Sequence, residues 1–312
     1  MTEPIHDDEP DTGEAVVRAL LRSELPQWAN RPIEYLRNSG TDNAMWRVRL
    51  EQASDVVIRL PRRSEAAEGV LHEVSILEQL GGSATRAGFR TPTVRHVGAP
   101  HECFAHHWSV LDWIDGSDAW TARDEIEGGG AKRLGTDLAE AVVAIGRLEI
   151  DGARPRRVGS RGGPLGPLLE RLDGWLTSPE WNAAALIDVA AARRLAAEAA
   201  ELVDEPVEQY FVHGDLIPGN LLVERGRLTA VIDWGGAGHG DRAQDLAPAW
   251  AVLTGTERAA FRDAVVVSDA TWIRGRTFEL EHAVGGVLYY GPRGHPLGDV
   301  MARTLERIID AR

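Results

Sequence analysis

Two acids and an amide carry the chemistry this sequence is equipped for. In Phe211-Val-His-Gly-Asp-Leu-Ile-Pro-Gly-Asn220, Asp215 and Asn220 stand five residues apart in a stretch that reads as a loop. Asp233, in Val231-Ile-Asp-Trp234, follows on a β-rich run thirteen residues after the amide. One carboxylate to hold an acceptor oxygen, with an amide and a second carboxylate to hold magnesium against nucleotide phosphates, is a minimal kit for moving a phosphoryl group to a hydroxyl. Asp215 is the candidate base. Because the transition state is loose, its main work would be to orient the hydroxyl and take the proton late. Asn220 and Asp233 are the candidate Mg²⁺ ligands, two hard oxygen donors that leave net positive charge facing a triphosphate. Each has a plain alternative: a loop aspartate capping a turn, a turn asparagine beside Gly219, an acid at a strand end. The three together speak against those alternatives.

Side chains so spread along the chain need a scaffold to deliver them, and the patterning of apolar residues implies one. Asp11 to Leu25 reads as a helix stopped by Pro26. Three β-like runs follow over 33–37, 44–50 and 55–60, with turns at 38–43 and 51–54. Ser64 to Leu80 reads as a helix with Ser64 as its N-cap and Gly81-Gly82 as its stop. Val70, Val74, Leu77 and Leu80 form its apolar face, with Glu73 off that stripe or at its edge. Two more strands are expected over 93–98 and 107–113. Past Asp115-Gly116 the pattern turns helical, over about 130–149, 165–177, 180–203, 243–253, 256–268, 271–289 and 295–310. β-like runs at 210–212, 221–224 and 228–232 cluster around the motif, the last two as a hairpin turning at Arg225-Gly-Arg227. Arg154 to Gly166, rich in Gly, Pro and Arg, reads as a mobile loop. The expected fold class is therefore α+β with two lobes. A β-rich N-terminal lobe over 1–111 has a five-stranded sheet and one helix; a hinge spans 112–116; a mainly helical C-terminal lobe spans 117–312. The cleft between lobes is the expected ligand site.

His213-Gly-Asp-xxxx-Asn220 together with Ile232-Asp-Trp234 resembles the aminoglycoside phosphotransferase family, relatives of protein kinases. Gly40-Thr-Asp-Asn-Ala-Met-Trp-Arg-Val48 and Val57-Ile-Arg-Leu-Pro-Arg-Arg63 are similar to its N-terminal lobe, especially in macrolide-phosphotransferase-like members. Gly240-Asp-Arg-Ala-Gln-Asp-Leu246 resembles the helix start that follows the family's metal aspartate, and the likeness covers about residues 33–290. The resemblance implies a protein-kinase-like fold. It also implies Mg²⁺-dependent transfer of the γ-phosphate of ATP or GTP to a hydroxyl of a small molecule, an aminoglycoside or macrolide antibiotic first of all. Arg59 stands where the family usually has a strand lysine for the α- and β-phosphates, and the two are not interchangeable: the guanidinium is a bulkier, planar fork. Glu73 is its implied helix partner, with a solvated helix acid as the alternative and Glu68 as the other candidate. Gly40, Thr41, Asp42 and Asn43 would turn over the phosphates; with a single glycine, a plain hairpin turn is the alternative. The backbone from Asp112 to Ile114 would read the adenine edge. His213 and Asp245 are implied as braces of the catalytic loop. By residue type His213 is also a candidate general acid, and Asp245 also an acid favoured at a helix N-terminus.

Composition narrows the alternatives. The formal charge of −14 argues against a nucleic-acid partner and is compatible with a cationic small-molecule acceptor. Cys103 is the single cysteine, so there is no internal disulfide, and the spacing of His101, Cys103, His106 and His107 matches no common zinc site. No apolar run approaches a membrane span and the acidic first residues lack an apolar signal core, so the chain reads as cytoplasmic. Lys132 is the single lysine, so Arg59 in place of lysine reads as drift under coding bias. An inactive nucleotide-binding protein is the competing account. The acceptor pocket is expected in about 165–205 and 271–300, where Glu170, Asp173, Glu279, Glu281 and Asp299 are candidate carboxylates for a polycation. An apolar wall there would favour a macrolide, and a small closed pocket a metabolite such as an amino alcohol, sugar or amino acid.

Overall fold

The computed structural model describes residues 9–36, 42–51, 53–81, 88–131 and 133–311. The expected turn residues Gly40 and Thr41, and Lys132, lie outside these. The described residues fall into two compact units. The first lies within Met1–Ser83, Thr91–Asp115 and Asp233–Gly235, the second within Ala84–Arg90, Gly116–Ile232 and Gly236–Arg312.

In the first unit, side-chain alternation sets the layers. Strands β1 (Ile33–Tyr35), β2 (Asn43–Val48), β3 (Val56–Pro61), β4 (Val94–Gly98) and β5 (Trp108–Asp112) form an antiparallel sheet in the order β1-β2-β3-β5-β4. Along β2, Ala44, Trp46 and Val48 are buried while their neighbours are not. They join Ile58, Leu60, Trp108 and Val110 in a core with Val16, Val17, Leu20 and Leu21 of α1 (Glu14–Glu24). Every residue of β3 is buried, because α2 (Ser64–Leu80) packs against the sheet as well. Alternation along β3 therefore puts Arg59 on the face opposite Ile58 and Leu60. On α2, Glu73 lies on the buried stripe, three residues after Val70 and one before Val74, rather than at its edge, whereas Glu68 is exposed. Arg63, not Ser64, is the α2 N-cap; its main chain is extended and its side chain is paired with Asp42 at 2.6 Å.

The second unit is mainly helical. After the short α3 (Arg123–Glu127) come α4 (Leu134–Ile145), α5 (Leu165–Thr177), α6 (Val189–Ala200), α7 (Pro248–Ala251), α8 (Gly255–Val265), α9 (Asp269–Tyr290) and α10 (Pro296–Asp310). α9 is packed by α10, α5 and α6, and buries polar as well as apolar side chains along its length. β6 (Ser117–Asp118), β8 (Leu221–Glu224) and β9 (Arg227–Val231) make a small sheet. The β8–β9 turn needs only Arg225 and Gly226, at φ 51° and 67°, the left-handed pair of a tight hairpin.

Several departures from the expected elements have local causes. The single helix expected over 180–203 is broken: Asn182 adopts a left-handed conformation, and Asp188 caps α6 by accepting the Ala191 N–H at 2.9 Å. The helix expected over 243–253 becomes a 3₁₀ turn, Arg242–Leu246, capped by Asp241, and then the short α7 begun by Pro248. β10 (Gly238–Asp241) pairs with β7 (Gln209–Val212), although its sequence has no β-branched residue. The stretch over 154–166 is not a free loop. Arg156 N–H donates to His239 O at 2.7 Å, His239 N–H to Arg154 O at 2.8 Å and Asp241 N–H to Gly162 O at 2.8 Å, so it runs as an extension of the β10 edge. Among the described residues no helix is long and apolar enough to cross a membrane.

Gly98 shows how tightly the first sheet is built. A Cβ there would lie 1.8 Å from Trp108 Cε2, and Trp108 is fully buried. Gly98→Ala should destabilise the protein by about 3 kcal/mol, the upper part of the overpacking range. Urea unfolding measures it; a loss below about 1 kcal/mol would mean that the indole swings aside at little cost.

Candidate active site

The loop after β7 is held from behind by a buried acid. Asp245, in the 3₁₀ turn over 242–246, accepts the main-chain N–H groups of His213 at 2.7 Å and Gly214 at 2.8 Å. Burial pushes its carboxyl above the ordinary range, while His213, the two amides and Arg156 pull it back. Gly214 has φ +80°, and a Cβ there would meet Arg156 Nη1 at 2.7 Å and Gly236 O at 2.8 Å, so the sharp turn and the close packing both require glycine. Gln244 Nε2 donates to Gly214 O at 3.2 Å. The His213 ring is committed to the main chain: Nδ1 accepts the Asp215 N–H at 3.2 Å and Nε2 lies 3.1 Å from Ile232 O. With both ring nitrogens occupied by main-chain groups, the ring has little scope as a general acid.

Held in this way, Asp215 keeps its side chain 29% exposed. Asn220 closes the loop through the 3₁₀ turn Pro218–Asn220. Its Nδ2 donates to Asp215 O at 2.9 Å and to Asp215 Oδ2 at 3.0 Å. With its nitrogen turned to Asp215, the amide presents Oδ1 as its hard donor. On the other oxygen of Asp215, Oδ1, Arg161 Nη2 sits at 3.3 Å. Arg161 lies in the stretch read as a mobile loop and was not among the expected site residues. The signal was its arginine content: Arg154, Arg156, Arg157 and Arg161 fall within eight residues.

In the first unit, Arg59, Glu73 and Asp233 form a buried chain of charges. Arg59 Nη1 donates to Glu73 Oε1 at 2.5 Å and Nη2 to Asp233 Oδ1 at 2.7 Å. Burial alone would lower the Arg59 pKa, but the charges of Glu73 and Asp233 outweigh it and hold the guanidinium above its ordinary range. Glu73 Oε1 also accepts the Trp234 N–H at 3.1 Å. Asp233 itself has φ +64°, a left-handed conformation that costs a non-glycine residue about 1 kcal/mol. Its side chain remains 40% exposed. The oxygen donors of Asn220 and Asp233 are of the type Mg²⁺ takes.

The other expected residues are placed as follows. Asp42 pairs with Arg63, and Asn43 opens β2 opposite Pro61. The Asp112 N–H already donates to Thr93 O at 2.9 Å and its carboxylate pairs with Arg95, while Ile114 is half-buried. Beside them the Trp113 ring lies under the Arg47 guanidinium at 4.1 Å. Among the described residues no group of three His, Cys, Asp or Glu side chains could hold a metal, and His107 Nδ1 lies 3.1 Å from Gly98 O.

The five candidate acceptor carboxylates do not form one wall. Glu170, Asp173 and Asp299 are exposed. Glu281 is buried and taken by Arg171 at 2.7 Å. Glu279 is 1% exposed; its Oε1 has no partner among the described residues and its Oε2 lies 3.6 Å from His282 Nδ1. Burial pushes the Glu279 carboxyl up to about 8, against a smaller downward pull from Arg161, and pushes His282 down to about 3. Both groups are thus neutral near pH 7. A carboxyl that holds its proton in the fold up to about 8 makes the protein lose stability as pH rises from about 4.5 through that value. Glu279→Gln has no charge to acquire, so its stability relative to wild type should rise with pH between 5 and 8, by up to about 1.4 kcal/mol per unit. Unfolding midpoints at matched pH values measure it, and a pH-independent difference would show that Glu279 titrates normally.

These arrangements can be set beside known proteins. An aminoglycoside phosphotransferase, APH(2")-IIIa, solved with GDP and kanamycin, superposes with a TM-score of 0.71 at 17% identity, over 94% of this chain and 96% of that one. The macrolide 2'-phosphotransferase MphH from Brachybacterium faecium gives 0.60 at 21% identity, over 94% and 98%. The aminoglycoside phosphotransferase APH(4)-Ia gives 0.62 at 17%, over 95% and 98%. At these identities the likeness establishes the kinase-like α+β fold. None of the curated proteins compared with it matches the chain significantly. The profile of the phosphotransferase enzyme family, however, matches residues 36–278, most of the chain and both motif regions, and the chain therefore belongs to that family.

Proposed function

We propose that this phosphotransferase is a Mg²⁺-dependent kinase that moves the γ-phosphate of ATP or GTP to a hydroxyl of a small molecule. The observation that carries the reading is the Asp215–Asn220 pair, clamped through Asp245, with the base carboxylate left partly open. Asp215 accepts the acceptor hydroxyl as a hydrogen-bond donor, orients it and takes its proton late. Asn220 and Asp233 supply one neutral and one anionic oxygen to Mg²⁺, which when bound offsets the phosphate charge. Arg59, positioned by Glu73, gives up its hold on Asp233 to reach phosphate oxygens, for which its fork is suited. The backbone over 42–43 and 112–114 belongs to the nucleotide side of the same reading. So do the lobe division at 112–116 and a cytoplasmic setting without nucleic acid.

The acceptor class supported by the resemblance is an antibiotic, since the similar structures include aminoglycoside and macrolide phosphotransferases. A second reading, a kinase of a small metabolite, is favoured by the carboxylates of α5, α9 and α10, which are dispersed, paired or neutral rather than gathered for a polycation.

Nucleotide consumption with Mg²⁺, using ATP and GTP separately against aminoglycosides, macrolides and small amino alcohols, tests the reading. Acceptor-dependent turnover is expected, falling by roughly 10³-fold in Asp215→Ala with ADP affinity nearly unchanged. An active Asp215→Ala enzyme would remove Asp215 as base. Arg59→Lys should keep nucleotide binding, whereas Arg59→Ala should weaken it by about 10-fold or more. A wild-type Kd in Arg59→Ala would show that Arg59 does not reach the phosphates.

A further inference from the structure

The side chains around Asp215 carry the opposite charge to the one a polycationic acceptor requires. Arg161 Nη2 is 3.3 Å from Asp215 Oδ1, while its second terminal nitrogen, Nη1, is buried and has no partner among the described residues. A hydroxyl hydrogen-bonded to Asp215 Oδ1 would sit within about 5–6 Å of that guanidinium, close enough for whatever the hydroxyl's neighbouring carbon carries to meet it.

The other charged groups of this region do not make it acidic. Arg156 is fixed behind Arg161 by its Nε bond to Arg161 O at 2.8 Å and by a bond to Gly236 O. The proximity of the two guanidinium groups adds to burial in lowering the Arg156 pKa. Glu281 is neutralised by Arg171. Glu279 and His282 are held neutral by burial. Among the described residues, Asp215 pairs with Arg161, and the charges of Asp215 and the buried Asp245 act on Arg156, so carboxylate and guanidinium are balanced here rather than in acidic excess. The negative net charge of the whole chain is therefore not the charge of this site.

We infer that Arg161 is an acceptor-binding residue that selects an anionic group, a carboxylate or phosphate, on the compound whose hydroxyl meets Asp215. This rests on the phosphotransferase reading and narrows it to an acidic hydroxy compound. The planar fork suits such a group: with Nη2 shared with Asp215, Nη1 remains to donate to an anion oxygen. An ammonium in the same place would be repelled by Arg161 and would have to displace it from Asp215. Gln244 Oε1 and Glu279 Oε1, also buried without partners among the described residues, add neutral polar atoms in the same unit.

Binding to the full chain tests this, with and without Mg²⁺ and ADP, using D-gluconate as the anionic probe, D-sorbitol as its neutral counterpart and kanamycin as the polycation. Wild type is expected to bind gluconate about 10-fold or more tighter than sorbitol. Arg161→Ala should abolish that ratio, Arg161→Lys should keep part of it, and kanamycin should bind tighter to Arg161→Ala than to wild type. Equal affinity of wild type for gluconate and sorbitol overturns the inference, and so does a wild type that binds kanamycin better than the alanine variant. If Arg161→Ala does not fold, the wild-type ratio and the lysine variant still decide. Failure to bind ADP with Mg²⁺ in the same titrations would count against the phosphotransferase reading, while the gluconate-to-sorbitol ratio would still judge the anion subsite.

Discussion

One buried carboxylate sets the geometry of the loop that carries Asp215. A charged oxygen pair removed from water is stable only where donors replace the lost solvent, and Asp245 finds them in two consecutive main-chain N–H groups, those of His213 and Gly214. This fixes the turn without engaging the Asp215 side chain. The remaining constraints follow. Gly214 must take a positive φ, His213 must give both ring nitrogens to the main chain, and Asn220 closes the loop onto Asp215 from the other end. A side chain locked from behind loses little further freedom when substrate arrives, which is the physical meaning of preorganisation.

The first unit repeats the device with different partners. Glu73 Oε1 accepts both the Arg59 guanidinium and the Trp234 N–H, so one carboxylate oxygen orders the arginine and the turn that carries Asp233. The left-handed backbone at Asp233 is tolerable because the fully buried Trp234 on one side and Arg59 on the carboxylate over-determine it. Arginine accomplishes here something a lysine would do differently: two of its nitrogens reach two carboxylates at once in a fixed plane.

What was legible in the sequence was whatever depends on local pattern. α5 and α2 lie where their apolar spacing put them, and the hairpin after the motif follows from Arg225-Gly226. What was not legible depended on partners distant in sequence. Glu73 looked marginal on α2 because apolar periodicity gives no weight to an acid, yet burial opposite Arg59 makes it part of the packed face. β10 has no strand-forming residues and exists because β7 and the 154–163 segment supply hydrogen bonds on both sides. The helix expected over 180–203 failed at Asn182 and Asp188, two residues whose side chains compete for the backbone and favour turns and caps.

The placement of charge is not legible in the composition. A formal −14 is compatible with a cationic acceptor, but a total says nothing of where the charges stand. Three of the five candidate acids stand in solvent, one is paired, and one is buried deeply enough to keep its proton near neutral pH. Meanwhile an arginine in a segment that patterning classed as a loop reaches the Asp215 carboxylate. The 154–163 segment has no apolar periodicity to betray it, since main-chain bonds to His239 and Asp241 and the Arg156 side chain on Arg161 O and Gly236 O, rather than apolar packing, hold it in place. A segment ordered mainly through its backbone can vary its other side chains, Arg161 among them, without losing its path, and so it is a natural place for acceptor selectivity to reside while the clamp around Asp215 stays the same.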